Sequence, residues 1–180
     1  MSDIQGLIRD LVAANHILGA EGLCDAYGHI SVRNPDNPDT YFLSRSRSPE
    51  LVTESDILEF NLDNSPTRET ELPIYIERPI HGAVFEARPD VMSVIHNHCA
   101  EVLPFAITAT PMRPAIHNAK RLGETAPVWD IRDKFGDTDL LVTTNDQGHD
   151  LAATLGGEKC AIMRGHGCTV TGNNIPDAVQ

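Results

Sequence analysis

Val91-Met-Ser-Val-Ile-His-Asn-His98 is the stretch whose reading decides the fold. Four apolar residues in the first five, bounded by Arg88-Pro-Asp90 before and a polar segment after, read as a buried strand. Side chains two apart on a strand point to the same face, so His96 and His98 can reach one metal ion from a rigid element. An isolated His-x-His pair equally fits a hydrogen-bonded core or surface position. The surrounding pattern has to decide between them.

Upstream of that strand, Ile80, Val84 and Ala87 recur at helical spacing from about Arg78 to Arg88, with Pro79 at a position that suits a first helical turn. Glu77 and His81 then lie four apart near the helix start. Further back, Gly28–Arg33 and Thr40–Ser44 read as an antiparallel strand pair around a turn rich in Asn, Pro and Asp, and Ile57–Leu62 as a third strand. The polar stretch Asp63–Glu71 reads as a solvated loop, too short to separate two cores. At the N-terminus, Ser2 with Gln5 forms a capping-box pattern before Ile4, Leu7, Ile8, Leu11 and Val12, and Gly19 and Gly22 stop the helix.

Downstream, Gly148–Leu155 reads as a short helix closed by Gly156-Gly157, and Lys159–Met163 and Cys168–Thr171 as strands flanking the turn Arg164-Gly-His-Gly167. The glycines permit a sharp turn that can aim His166 inward as a third ligand. Three protein ligands with one open position is the catalytic, not the structural, arrangement for zinc and related ions. Interspersed helices and strands with several antiparallel connections give an α/β or α+β layered fold. Asn174–Gln180 reads as the cap and first turn of another helix. The expectation is therefore one domain, residues 1–180, lacking its C-terminal helices.

The chain has 180 residues, 41% hydrophobic and 22% charged, which suits one compact core. A formal net charge of −12, from 26 acidic and 14 basic residues, argues against nucleic acid or anionic membrane as a partner, because the average field repels phosphates. No stretch of eighteen apolar residues and no signal-peptide layout is present, which reads as a cytoplasmic protein. Cys24, Cys99, Cys160 and Cys168 form no CxxC pair and read as buried, reduced thiols.

Taken in order and spacing, Gly28-His-Ile-Ser31, Ser44-Arg-Ser46, Glu77-Arg-Pro-Ile-His81, Arg88-Pro-Asp-Val-Met-Ser-Val-Ile-His-Asn-His98 and Met163-Arg-Gly-His-Gly167 resemble the class II aldolase/adducin family across nearly the whole chain. The resemblance implies an αβα three-layer domain with a largely antiparallel central sheet, a homotetramer with interfacial active sites, and a small-molecule substrate. It also implies a divalent metal, Zn²⁺ or Mn²⁺, on His96, His98 and His166, with Glu77 as acid/base.

The chain departs from the family's phosphate-binding aldolases at three places: His29 follows the first glycine, Arg45 follows Ser44, and Tyr75-Ile76 precede Glu77. Donors for a sugar phosphate are missing there, while Arg45 offers a fork for a carboxylate. Glu77–Gly82, Arg113-Pro-Ala-Ile-His117 and Pro127-Val-Trp-Asp-Ile-Arg132 look more like the branch containing decarboxylases of hydroxylated aromatic or pyridine carboxylic acids. The candidate substrate-binding residues are His29, Ser44, Arg45 and His117, with His81 as a partner orienting the site. The function so implied is a metal-dependent carbon–carbon lyase, a decarboxylase, in which a Lewis acid stabilises an enolate and Glu77 moves the proton. The alternatives are an aldolase of a hydroxy-carbonyl or sugar-phosphate substrate, and a non-catalytic adducin-like scaffold.

Overall fold

The structure is a computed structural model describing residues 2–180. The central sheet has seven strands: β1 (His29–Arg33), β2 (Thr40–Ser44), β3 (Ile57–Asn61), β4 (Ser93–Asn97), β5 (Val128–Trp129), β6 (Cys160–Met163) and β7 (Gly167–Gly172). Their order is β3-β2-β1-β4-β7-β6-β5. Every pairing is antiparallel except β5 with β6. β4 lies at the middle, between β1 and β7, and all five of its residues are buried. Cover on both faces explains its nearly continuous apolar run.

Among the described residues, six α-helices accompany the sheet: α1 (Ile4–Ala20), α2 (Pro79–Ala87), α3 (Leu103–Ile107), α4 (Arg132–Phe135), α5 (Asn145–Leu155) and α6 (Ile175–Val179). Side-chain alternation along the strands divides the core. Tyr41, Leu43 and Val94 join Ile80, Val84 and Phe85 of α2 and Leu151 and Leu155 of α5 in one cluster. Ile30, Val32, Phe42 and Ile95 join Leu11, Ala14 and Leu18 of α1 and Ile175 and Ala178 of α6 in another. His96 has the same strand parity as Val94 and so faces the α2 side.

Several boundaries differ from expectation for local reasons. Helix α1 is capped by Asp3, whose side chain accepts from the Gly6 N–H at 2.8 Å, and not by Ser2. The Ser2 hydroxyl instead donates to Asp36, and Gln5 to Glu54. Helix α5 begins three residues before Gly148, because Thr144 and Gln147 form a reciprocal capping box. The loop after β3 is anchored at Asn64, which is buried: its side chain accepts from the Tyr41 hydroxyl and donates to Asn145, each at 2.8 Å. The four cysteines are free and buried. Among the described residues, no helix is long and apolar enough to cross a membrane.

Candidate metal centre

Strand β4 delivers the His96 ring, and the chain just past its end delivers His98. The β6–β7 hairpin delivers His166 through a turn with two requirements. Gly165 has φ +69°, and a Cβ on Gly167 would stand 2.1 Å from the Asn97 carbonyl oxygen, so only glycine lets the hairpin close against β4. Glu77, just before α2, completes a cluster in which one donor atom from each of the four residues lies within 4.8 Å of every other.

The His98 Nε2 is 3.1 Å from both His96 Nε2 and His166 Nε2. Glu77 Oε2 is 3.6 Å from His96 Nε2, and Oε1 is 3.5 Å from His166 Nε2. Other contacts decide which ring nitrogens carry protons. His96 Nδ1 is 3.1 Å from the Cys168 carbonyl oxygen, which can only accept, so Nδ1 carries the hydrogen and Nε2 a lone pair. His98 Nδ1 donates in the same way to the Asp25 carboxylate at 3.0 Å. Asp25 also accepts from the Tyr27 and Gly28 N–H groups at 2.9 Å. Burial works to raise the Asp25 carboxyl, but these hydrogen bonds, led by that from His98, hold it below its ordinary value.

Neutral lone-pair nitrogens pointed at one another repel unless a cation lies among them, so this donor set fits a divalent metal ion. Burial drives His96 below its usual range, against the raising effect of Glu77, which keeps that ring neutral, the form a metal ligand requires. Burial works to raise the Glu77 carboxyl, but its contacts with the His166 and His96 rings, 3.5 and 3.6 Å away, outweigh burial and hold it below its ordinary value. The Val142 N–H also donates to Glu77 Oε1 at 3.0 Å.

The cluster opens into a cavity of about 570 Å³. Apolar side chains of Tyr27, Ile74, Tyr75, Ile76, Leu140 and Leu141 dominate its wall. Among the described residues, neither lysine nor arginine lines it.

The other sequence candidates lie elsewhere. His29 is buried on β1 opposite His96, its Nδ1 2.7 Å from His81 Nε2, and it does not line the cavity. His81 continues that chain to the Ser31 hydroxyl at 2.6 Å. Ser44 is fully buried at the end of β2. Arg45 is committed to Asp56, with Nε 2.6 Å from Oδ1, and so does not offer its fork to the cavity. His117 is exposed in the turn His117–Leu122, away from the cluster. Asp25, the Val142 N–H and the Leu140-Leu141 wall were not foreseen. Asp25-Ala-Tyr-Gly28 carries a turn signal, but nothing in it points 73 residues ahead to His98.

Residues 9–180 match the Class II Aldolase and Adducin N-terminal domain family. The decarboxylase tropJ of Talaromyces stipitatus is 37% identical over 185 residues, covering 96% of this chain and 70% of tropJ. A 3,4-dihydroxyphthalate decarboxylase of a Terrabacter species is 28% identical, covering 95% of this chain and 74% of that protein. Among solved structures, the L-fuculose 1-phosphate aldolase of Glaciozyma antarctica shares the fold with a TM-score of 0.79 at 24% identity, over 96% of this chain and 66% of the aldolase. The chain thus spans about two thirds to three quarters of the length of these proteins.

Proposed function

Because the chain belongs to the class II aldolase and adducin family, we propose that it is a metal-dependent carbon–carbon lyase that removes CO₂ from a hydroxylated aromatic carboxylic acid. The observation that carries this reading is the tripod of histidine Nε2 atoms beside Glu77, opening into an apolar cavity without a lysine or arginine. His96, His98 and His166 would hold the ion, zinc or manganese. Bound there, a divalent cation supplies Lewis-acid stabilisation of the charge that develops on substrate oxygen as the carbon–carbon bond breaks.

The protein's own groups do the rest. Glu77, held ionised, accepts the proton of a substrate hydroxyl. When the bond to the carboxylate breaks, its electron pair stays on the ring carbon, CO₂ leaves, and Glu77 returns the proton to that carbon. The Val142 N–H keeps the carboxylate aimed during both transfers. The apolar walls exclude water and leave room for a flat ring.

The similarity to decarboxylases that cover most of this chain supports this reaction over aldol cleavage. The wider reading is of an αβα three-layer domain occupying residues 1–180, working in the cytoplasm as a homotetramer. The apolar clusters on the two sides of the sheet support the layering. Metal-loaded protein incubated with a panel of hydroxybenzoic and hydroxyphthalic acids is expected to release CO₂ from hydroxybenzoic members. Cleavage of a hydroxy-aldehyde with no CO₂ from any member of that panel would replace this reading with an aldolase.

A further inference from the structure

Leu140 has φ +69°, a backbone conformation that leucine rarely adopts. Its surroundings over-determine it. The Leu140 N–H donates to Thr138 Oγ1 at 3.0 Å, the Leu141 N–H to Asp139 Oδ1 at 3.1 Å, and the Val142 N–H to Glu77 Oε1 at 3.0 Å. Val142 is fully buried in the core beyond. The Leu140 side chain leans over the turn that carries His166, its Cδ1 3.2 Å from where a Cβ on Gly165 would stand. Three consecutive residues therefore run from the cavity wall to Glu77, and the strained one puts an isobutyl group into the cavity where a turn of this kind ordinarily carries Gly or Asn.

The charge around that wall is equally specific. Glu77 and Asp139 are the acidic groups lining the cavity, and among the described residues no lysine or arginine lines it beside them. The nearby guanidinium groups of Arg45 and Arg47 both bind Asp56. That of Arg164 donates to the Ala106 and Thr108 carbonyl oxygens. A second anionic group on a substrate, or a polyhydroxylated tail, would meet apolar surface and carboxylates there.

Resting on the metal-dependent lyase assignment above, we propose that Leu140 is a specificity-determining residue: it forms the apolar face that selects a flat, otherwise uncharged aromatic ring with its hydroxyl and carboxylate at one edge, and rejects phosphorylated or polyhydroxylated compounds. The leucine side chain packs on the ring from a position whose backbone prefers another residue.

Two ligands that present the same hydroxyl–carboxylate chelate, one with a ring and one without, isolate the wall. Dissociation constants of salicylate and 3-hydroxypropanoate would be measured calorimetrically on zinc-loaded wild type, Leu140→Asn and Leu140→Gly. Asparagine keeps the size and the left-handed preference while reversing polarity, and glycine removes the wall without strain. The salicylate preference of wild type is expected to fall about tenfold in both variants, with 3-hydroxypropanoate binding and zinc content unchanged. Should Leu140→Asn fold poorly, Leu140→Gly carries the comparison. An unchanged preference in a folded variant, or none in wild type, overturns the role of Leu140 while leaving the metal site standing. Failure of folded wild type to take up zinc overturns instead the assignment on which that role rests.

Discussion

His96 Nε2 and His98 Nε2 stand 3.1 Å apart although each ring spends its Nδ1 proton on another acceptor, the Cys168 carbonyl and the Asp25 carboxylate. Two lone pairs face one another, an arrangement that a shared cation turns from repulsive to favourable. The orientation of the His98 ring therefore depends on Asp25. Asp25→Ala should weaken zinc binding roughly 10–100-fold, the range found when a carboxylate behind a metal-bound histidine is lost. Competition against a chromophoric chelator measures this, with far-ultraviolet circular dichroism confirming the fold.

Glu77 is placed to carry a proton by the Val142 N–H, which a glutamine oxygen could equally accept. Glu77→Gln should thus keep its position and the metal but lower kcat for CO₂ release about 10²–10⁴-fold. Loss of metal in step with activity would instead make Glu77 chiefly a ligand.

Arg45 and Arg47 converge on Asp56, which is buried while their side chains are 24% and 33% exposed. Removing the shared anion by Asp56→Ala should cost about 2 kcal/mol by urea denaturation, less than the roughly 3–5 kcal/mol of a fully buried pair because solvent reaches the arginines. Arg45→Ala should lower Tm without changing KM, since its guanidinium does not line the cavity. A several-fold rise in KM would return Arg45 to the role of holding a substrate carboxylate.

His81 is fully buried between His29 and Ser31. Burial lowers it from 6.5 to about 3. Below pH 6.5 the unfolded chain takes up a proton at this position that the folded chain refuses. The contribution is therefore whole above pH 6.5 and shrinks as the pH falls towards about 3. Metal-free protein should lose stability across that window at up to about 1.4 kcal/mol per pH unit from this residue. His81→Gln should flatten the slope, and equal slopes for the two proteins would contradict the burial of a neutral ring.

The parts of the fold legible in the sequence are those with strong local periodicity. Strand β4 declares itself because cover on both faces demands an apolar run, and α2 because Pro79 marks its start and Ile80 and Val84 its buried side, although Ala87, read with them, is exposed. Strand β5 is two residues long and held by pairing with β6, so it leaves no period to read. The convergence of His96, His98, His166 and Glu77 is foreshadowed by motif order, since each lies at the end of an element that sheet topology brings together. Arg45 shows the limit of such reading. Its position in the motif signals a cation near the site, but only the packed structure shows that Asp56 already engages it. Leu140 is invisible for the opposite reason, because its importance lies in a backbone conformation that leucine gives no sign of adopting.

The central claim is that three lone-pair imidazoles hold one metal ion. Metal content per chain, measured by inductively coupled plasma mass spectrometry on wild type and His96→Ala after incubation with zinc or manganese and desalting, tests it most directly. The account predicts one ion per wild-type chain and almost none in His96→Ala, with both proteins folded. A folded wild type that retains no metal, or a variant that retains it fully, would contradict it.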